Sequence, residues 1–249
     1  MLPGMSGAVV PPKPARPRRL AEHLQEDLLR LVVTGELAPG ALLPTEQSLR
    51  EQYGVSRTVV REAVKSLEAL GLLHALQGHG TRVQPIGEWD LVNPHVLSAV
   101  LRYESGDDIL TEVIHIRSSL EADMAAQAAT SASDEQRALV SQRLRELEAA
   151  PNDAMAYLRA DIAFHDSILA SSGNRLGRAV IRNILVEAAR SIRYTGTPIE
   201  GHQDAADAEH RAIHDAVVAG DEVEAARQMR RHILAAWERR RYRATPDPH

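Results

Sequence analysis

Cysteine is absent from this chain of 249 residues, and aromatic residues make up only 3% of it. Without cysteine, disulfides and thiolate metal sites are excluded. Strands of a β-sandwich favour aromatic and β-branched side chains, so a core packed from Leu, Ala, Val and Ile favours helices. No apolar run reaches the ~18 residues of a membrane helix, and the start lacks a signal-peptide segment. We therefore expect a cytoplasmic protein with no membrane association.

Charge is unevenly distributed along the chain. The net charge is −5, yet residues 1–84 hold ten Lys and Arg against eight Asp and Glu, so the acidic excess lies in the remainder. A slightly basic N-terminal part is compatible with binding to nucleic acid, although the placement of a few arginines matters more than the balance. Residues 1–19 are rich in proline and arginine, which predicts a disordered basic tail or an inert extension.

Residues 20–84 have the pattern of a winged helix-turn-helix, with three helices and a small β-hairpin. Leucines three or four residues apart form the first helix, which ends at Gly35. Thr45 and Ser56 are predicted N-caps of the second and third helices, which end at Gly54 and Gly71. Two short apolar segments on either side of Gly78 predict the hairpin. The leucines of the first helix are Leu20, Leu24, Leu28 and Leu31.

The rest of the chain is predicted to be a linker followed by helices. Residues 85–107 form the linker, in which the apolar positions from Trp89 to Val100 favour a short helix. Residues 108–243 have the periodicity of about six helices, which is typical of an antiparallel bundle. Breaks are expected near 131–133, 151–152, 172–174, 196–198 and 220–221. The fold class is therefore mainly α.

The start of the third helix is the candidate DNA-reading element. In a helix-turn-helix, the N-terminal residues of the second helix of the motif enter the major groove. Arg57 suits a bidentate contact to guanine, and Arg61 lies one turn later on the same face. Ser56 and Thr58 are suited to donate to phosphates, and the predicted hairpin tip carries Gln77, Gly78 and His79 for the minor groove. Alternatively, these arginines only decorate a solvated face.

This segment resembles the GntR family of bacterial regulators. The resemblance is carried by LPTE (43–46), YGVSRTVVREA (53–63), LEALGLL (67–73) and QGHGTRV (77–83). It implies that a dimer binds operator DNA through Ser56, Arg57, Thr58, Arg61 and the wing. Two positions depart from the family pattern: Gln47 stands where many members have arginine, and Val59 where threonine is common. The operator sequence is therefore expected to differ from the family norm.

Candidate metal ligands lie in the predicted bundle. Asp161 and His165 are four residues apart, which places both on one helix face. His210 and His232 fall on the last two helices, and three imidazoles with one carboxylate suit Zn²⁺, Ni²⁺ or Mn²⁺. The spacing leaves alternatives open, because His214 forms a competing pair with His210 and the histidines are also compatible with ordinary surface or core positions.

Residues 108–240 resemble the FCD effector domain of the FadR subgroup of this family. The matching segments are VIHIR (113–117), LE (120–121), DIAFH (161–165), GN (173–174), EHRAI (209–213) and MRRHI (229–233). The resemblance implies metal ligation by Asp161, His165, His210 and His232, and effector binding by Arg117 and Asn174. For Arg117, an ion pair with Glu121 is the alternative.

The resemblance implies a DNA-binding transcription regulator rather than an enzyme. It would act as a homodimeric repressor of operator DNA, controlled by a small organic acid or sugar acid at the metal site. Residues 87–97 are similar to those of regulators that respond to sugar acids such as galactonate. Two other hypotheses are compatible with the sequence. One is a metal-dependent enzyme, in which the ion activates water, and the other is a sensor for which the ion alone is the signal.

Overall fold

The computed structural model describes residues 16–103, 108–150, 153–189 and 202–241, and it confirms a mainly α fold. The chain divides into two compact units, Met1–Asp90 and Leu91–His249. Within the described ranges, none of the helices combines the length and apolar character that crossing a bilayer requires.

The first unit is the winged helix that the sequence predicts. Its elements are α1 (Arg16–Val33), α2 (Glu46–Tyr53), α3 (Arg57–Ala69), β1 (Leu73–Leu76), β2 (Gly80–Val83) and a short 3₁₀ helix (Ile86–Glu88). Strands β1 and β2 are antiparallel, with Leu73 opposite Val83 and Leu76 opposite Gly80. Helix α1 packs on α3, and α3 also packs on α2 and β1.

Helix α1 begins at Arg16, inside the segment predicted to be a disordered tail. The proline content argues against a helix here, but Pro17 lies in the first turn, where its missing N–H costs no helical hydrogen bond. Leu20 is 43% exposed, so the buried face is formed by Leu24, Leu28 and two further residues, Leu29 and Val32. The rest of the predicted tail, residues 1–15, lies outside the described residues.

Both predicted N-caps are present, Thr45 at the start of α2 and Ser56 at the start of α3. The Thr45 hydroxyl accepts from the backbone N–H of Ser48 at 3.2 Å, and the Ser56 hydroxyl accepts from that of Val59 at 3.3 Å. Gly54 ends α2 with a left-handed φ of 63°, a conformation that glycine adopts without strain. The chain therefore turns sharply into α3 and exposes its first residues.

Residues that follow β2 pack back on the first unit. The Trp89 indole Nε1 donates to the carbonyl of Gln84 at 2.9 Å, and the Asp90 N–H donates to the carbonyl of Leu70 at 2.9 Å. Gly71 has a φ of 77°, and a side chain there would meet the Glu88 carbonyl oxygen at 2.0 Å. The predicted linker thus begins as part of the winged helix.

The second unit contains seven described α-helices. They are α4 (Pro94–Tyr103), α5 (Asp108–Ser131), α6 (Asp134–Glu148), α7 (Ala154–Ser171), α8 (Arg175–Ala188), α9 (His202–Ala219) and α10 (Glu222–Arg241). The predicted breaks near 131–133, 172–174 and 220–221 coincide with helix ends, whereas those near 151–152 and 196–198 lie outside the described residues. Helix α4 begins only at Pro94, after two of the predicted helix residues, Trp89 and Val92.

Helix α5 is the central element of this unit. It packs along α10 and also contacts α4, α7, α8 and α9. A helix with neighbours on several sides is apolar around most of its circumference. Against this background, the polar side chains of Arg117 and Glu121 are buried on α5, and buried charges require partners. Those partners belong to the candidate functional site.

Candidate functional site

Two exposed arginines stand at the start of α3 in the first unit. The Nε of Arg57 donates to Oε2 of Glu46 at 3.0 Å, and the Nε of Arg61 donates to Oε1 of the same carboxylate at 2.9 Å. Glu46 is the first residue of α2. One acidic side chain therefore orients both guanidinium groups through their Nε atoms. Sequence reasoning did not find Glu46, because only the turn between α2 and α3 brings it to the arginines.

The other predicted DNA-binding residues are also exposed. Ser56 and Thr58 lie with Arg57 at the first turn of α3. Gln77, Gly78 and His79 form the exposed tip of the hairpin, where His79 Nδ1 lies 3.0 Å from the Gln77 carbonyl oxygen. The hydroxyl of Ser56 caps α3, so it is already engaged with the backbone.

Four predicted metal ligands converge in the second unit. Asp161 and His165 come from α7, His210 from α9 and His232 from α10, and one ligand atom from each lies within 4.8 Å of all the others. Nε2 of His210 is 3.0 Å from Oδ1 of Asp161, and Nε2 of His165 is 3.3 Å from Nε2 of His232. The three imidazoles are buried and Asp161 is partly exposed.

The donors fit a divalent cation. Both ring nitrogens of His210 are buried, and among the described residues neither has a hydrogen-bond partner, although Asp161 is close. A buried polar atom without a partner is costly unless something else satisfies it. Three imidazoles and a carboxylate form the nitrogen and oxygen set that Zn²⁺, Ni²⁺ and Mn²⁺ accept.

The protonation states also suit a metal. Burial lowers the pKa of His232 to about 3, and this outweighs the opposing hydrogen bond with Glu209, so the ring is neutral near pH 7. Burial alone would raise the pKa of Asp161, but His210 and the other two imidazoles outweigh it and hold that pKa below its ordinary value. Neutral imidazoles and an ionised carboxylate are the forms that coordinate a cation.

A carboxylate stands behind each of two metal-site histidines. Oε2 of the buried Glu121 lies 2.8 Å from Nδ1 of His165, and its Oε1 accepts from Nε of Arg117 at 2.6 Å. Burial would raise the pKa of Glu121, but Arg117 and His165 lower it to about 2. The ion pair between Arg117 and Glu121, which the sequence left as an alternative, is therefore present.

Glu209 has the same relation to His232. Its Oε2 lies 2.9 Å from Nδ1 of that ring, and Arg239 donates to both carboxylate oxygens at 2.8 Å. Burial opposes ionisation, but the hydrogen bonds with His232 and Arg239 lower the pKa of Glu209 to about 2. The sequence singled out neither glutamate as a partner of a histidine. Glu209 directly precedes His210, yet it contacts the ring of His232.

Asn174 and His214 are hydrogen-bonded to residues other than the four donors. Oδ1 of Asn174 accepts from the N–H of Gly177 at 2.9 Å and caps α8. Asn174 borders a small pocket of about 170 Å³ whose lining includes none of the four donors. His214, the competing partner of His210, instead contacts Ser141 Oγ and Asp215 Oδ1, both at 2.8 Å.

In comparisons with known proteins, each of the two units matches a known domain family. Residues 20–83 match the model for bacterial regulatory proteins of the gntR family, and residues 112–235 match that of the FCD domain. The chain is 33% identical to the HTH-type transcriptional regulator YieP of Escherichia coli K12 over 162 residues, which are 64% of this chain and 70% of YieP. It is 28% identical to the galactonate operon transcriptional repressor of the same strain over 186 residues, 75% of this chain and 81% of that repressor.

A solved structure supports the fold. Lar, which is described as controlling expression of the agr system of Listeria monocytogenes, superposes with a TM-score of 0.60 at 16% identity, covering 90% of this chain and 97% of Lar. At that identity, the likeness concerns architecture only. The family is shown by the two domain matches and by the relatives. The chain belongs to the GntR family of bacterial DNA-binding transcription regulators, with an FCD domain as its C-terminal part.

Proposed function

We propose that this regulator is a homodimeric repressor whose operator binding is controlled by a small acid at a divalent metal site. The observation that carries the proposal is the convergence of Asp161, His165, His210 and His232 to within 4.8 Å inside the FCD domain. Because its target is the bacterial chromosome, it works in the cytoplasm.

Operator reading is assigned to Ser56, Arg57, Thr58 and Arg61, with Gln77, Gly78 and His79 in the minor groove. Support comes from the exposure of all these residues and from the orientation of both arginines by Glu46. A single helix-turn-helix reads only a half-site, and two copies reach half-sites about one helical turn apart. The proposal therefore includes a homodimer, which the mass of the DNA complex tests directly.

Metal binding is assigned to the four donors, which would hold Zn²⁺, Ni²⁺ or Mn²⁺. A six-coordinate ion held by four protein donors keeps two positions for a ligand, and a cation there supplies Lewis-acid attraction for a carboxylate and a neighbouring hydroxyl. Four protein donors argue against a catalytic zinc site, which ordinarily has three and keeps one position open.

The effector is proposed to be a small organic acid or sugar acid. Arg117, buried one turn before Glu121, offers a guanidinium suited to a carboxylate. The similarity to a repressor named for the galactonate operon favours a sugar acid. Oδ1 of Asn174 is committed to the cap of α8, which leaves its amide Nδ2 for a contact with the acid.

Control of the operator is proposed to occur by population shift. The acid favours one arrangement of the FCD domain, and the dimer then no longer matches the spacing of the two half-sites. Repression relieved by the effector is the direction that follows.

The test is fluorescence anisotropy on DNA selected by the protein from a random pool, in a salt series and with hydroxy acids that include D-galactonate. Tight, salt-sensitive binding that one acid abolishes supports the proposal. Arg117→Ala should still bind the selected DNA but no longer release it on addition of the acid. Loss of DNA binding by a folded Arg117→Ala protein would refute this assignment.

A pure metal sensor is a second candidate, favoured by the number of protein donors. Four donors complete a tetrahedral zinc shell and leave no position for an acid. In that case, operator affinity should follow the concentration of free Zn²⁺ with no organic acid present, and added acids should have no effect.

A further inference from the structure

Two of the metal-site histidines are hydrogen-bonded through the ring nitrogen that faces away from the other donors. Nδ1 of His165 contacts Glu121, and Nδ1 of His232 contacts Glu209. We propose that Glu121 and Glu209 are positioning residues that fix these two rings in the tautomer whose Nε2 faces the centre of the cluster. The inference deepens the proposed metal function and rests on it for its biological meaning.

Hydrogen-bond chemistry sets the direction of each contact. An ionised carboxylate only accepts, so the proton in each pair sits on Nδ1 of the imidazole. A neutral ring that carries its proton on Nδ1 has a lone pair on Nε2. Both carboxylates are paired with an arginine, Glu121 with Arg117 and Glu209 with Arg239, which favours their ionised form.

The tautomer matters because the Nε2 atoms of the two rings meet at the centre of the cluster. The Nε2 atoms of His165 and His232 are 3.3 Å apart, and Oδ1 of Asp161 lies 3.9 Å from Nε2 of His165. If either ring carried its proton on Nε2, that N–H would point into the centre of the cluster and donate to a neighbouring lone pair. With both protons on Nδ1, lone pairs and a carboxylate converge, and a cation stabilises that arrangement.

The arginines hold the carboxylates in place. Arg239 reaches Glu209 with two parallel hydrogen bonds, a geometry that fixes the plane of the carboxylate. Glu121 divides its oxygens, Oε1 to Arg117 and Oε2 to His165. In metal sites generally, carboxylates that orient a ligating histidine set its tautomer and raise its basicity, and their loss costs about 10- to 100-fold in metal affinity.

The first readout is long-range ¹H–¹⁵N NMR of the histidine rings in the metal-free full-length protein near pH 7.5. Single histidine variants assign the His165 and His232 signals. We expect both wild-type rings to carry the proton on Nδ1. Glu209→Ala should release His232 into a tautomer mixture, whereas Glu209→Gln, which keeps an acceptor oxygen, should preserve the wild-type tautomer. Glu121→Gln should likewise preserve that of His165.

The second readout is Zn²⁺ affinity, measured by competition with a chromophoric chelator. Glu209→Ala should bind about 10- to 100-fold more weakly, and Glu209→Gln should recover part of the loss. The matched control is Glu224→Ala on α10, the helix that carries His232, because that glutamate pairs with Arg227 and Gln228 rather than with a histidine. The control should bind Zn²⁺ as the wild type does.

Three outcomes separate the two proposals. Wild-type rings protonated on Nε2, or a Glu209→Ala protein with unchanged tautomer and unchanged affinity, would overturn the positioning roles. Nδ1 protonation that responds to Glu209→Ala, in a wild type that binds none of Zn²⁺, Ni²⁺ and Mn²⁺, would refute the proposed metal function and still support the positioning roles. Because Glu121 is fully buried, the Glu209 series carries the test if Glu121 variants fail to fold.

Discussion

At the scale of single residues, Glu46 changes how the DNA-reading surface is understood. Arg57 and Arg61 lie one turn apart, and their like charges repel in isolation. Glu46 accepts from the Nε of each, so the two side chains share one counter-charge. An arrangement already present in the free protein would lower the entropic cost of the contacts with DNA proposed for this pair.

Replacement of Arg57 by alanine should therefore weaken operator binding without affecting the fold. We expect a loss of about 1–3 kcal/mol, the value of one bidentate contact to guanine, together with reduced discrimination at one base pair. Anisotropy with matched and single-substituted operators measures both effects. Arg143→Ala is the control, because this exposed arginine pairs with Glu146 in the second unit. Equal affinities for Arg57→Ala and the control would contradict the assignment.

The pKa of His232 predicts how the metal-free protein responds to acid. In the folded state the pKa is about 3, against 6.5 for the ordinary side chain. Between these values the unfolded chain takes up a proton that the folded chain refuses, so stability falls as pH decreases from 6.5 towards 3. Glu121, whose pKa is lowered from 4.5 to about 2, adds to the loss below pH 4.5.

Urea unfolding of the metal-free protein from pH 7.5 to 4.5 tests this dependence. A Trp89→Phe background leaves Trp237 as the only tryptophan, so fluorescence reports on the second unit. The free energy of unfolding should drop by about 2–3 kcal/mol, and His232→Asn should flatten the slope below pH 6.5. A slope that His232→Asn leaves unchanged would show that this ring is not the responsible group.

At the scale of secondary-structure elements, the sequence predicted helix ends well where a local rule decides them. Thr45 and Ser56 cap helices through hydrogen bonds three residues away, and Gly54 ends one through its own backbone conformation. The prediction was wrong for the start of α1, because proline in a first turn resembles proline in a disordered tail.

The structure of the segment after β2 could not be predicted from local sequence patterns. Residues around Trp89 look like a linker, yet the indole and the Asp90 N–H bond back to the winged helix. Gly71 permits this return, because the Glu88 carbonyl passes where a side chain would stand. The requirement for glycine comes from a close approach seventeen residues away along the chain, which a local pattern does not contain.

Gly71→Ala should therefore destabilise the first unit more than Gly54→Ala does. Both glycines have positive φ values, which cost alanine about 1–2 kcal/mol. A side chain at position 71 would also meet the Glu88 oxygen at 2.0 Å, whereas position 54 has nothing within 4 Å. Urea unfolding followed by Trp89 fluorescence in a Trp237→Phe background gives the two values. Equal losses would mean that the Glu88 segment moves aside at no cost.

At the scale of the whole molecule, each unit carries one part of the proposed function. The sequence indicated the four candidate metal ligands because two share a helix face and all four lie in segments that resemble the FCD domain. It did not identify the carboxylates behind them. Glu121 is 44 residues from His165, and Glu209 is 23 residues from His232. Only the packing of α5, α7, α9 and α10 brings these residues together.

Metal removal should lower the stability of the second unit. A ligand that binds only the folded state stabilises it by about 4 kcal/mol at a concentration of 1,000 times its Kd. The thermal midpoint should therefore fall on addition of EDTA to the Zn²⁺-loaded protein and return with excess Zn²⁺. Asp161→Ala should show little response to either addition. An equal shift in that variant would place the metal elsewhere.

The proposed regulation requires an acid to act on operator binding through a metal held by Asp161, His165, His210 and His232. Acid-induced release of selected operator DNA, followed by anisotropy, tests it in the metal-loaded protein and again after EDTA. We expect release by one hydroxy acid from the loaded protein, and none after EDTA while the DNA stays bound. Equal release in both samples, or no release by any acid from the loaded protein, would contradict it.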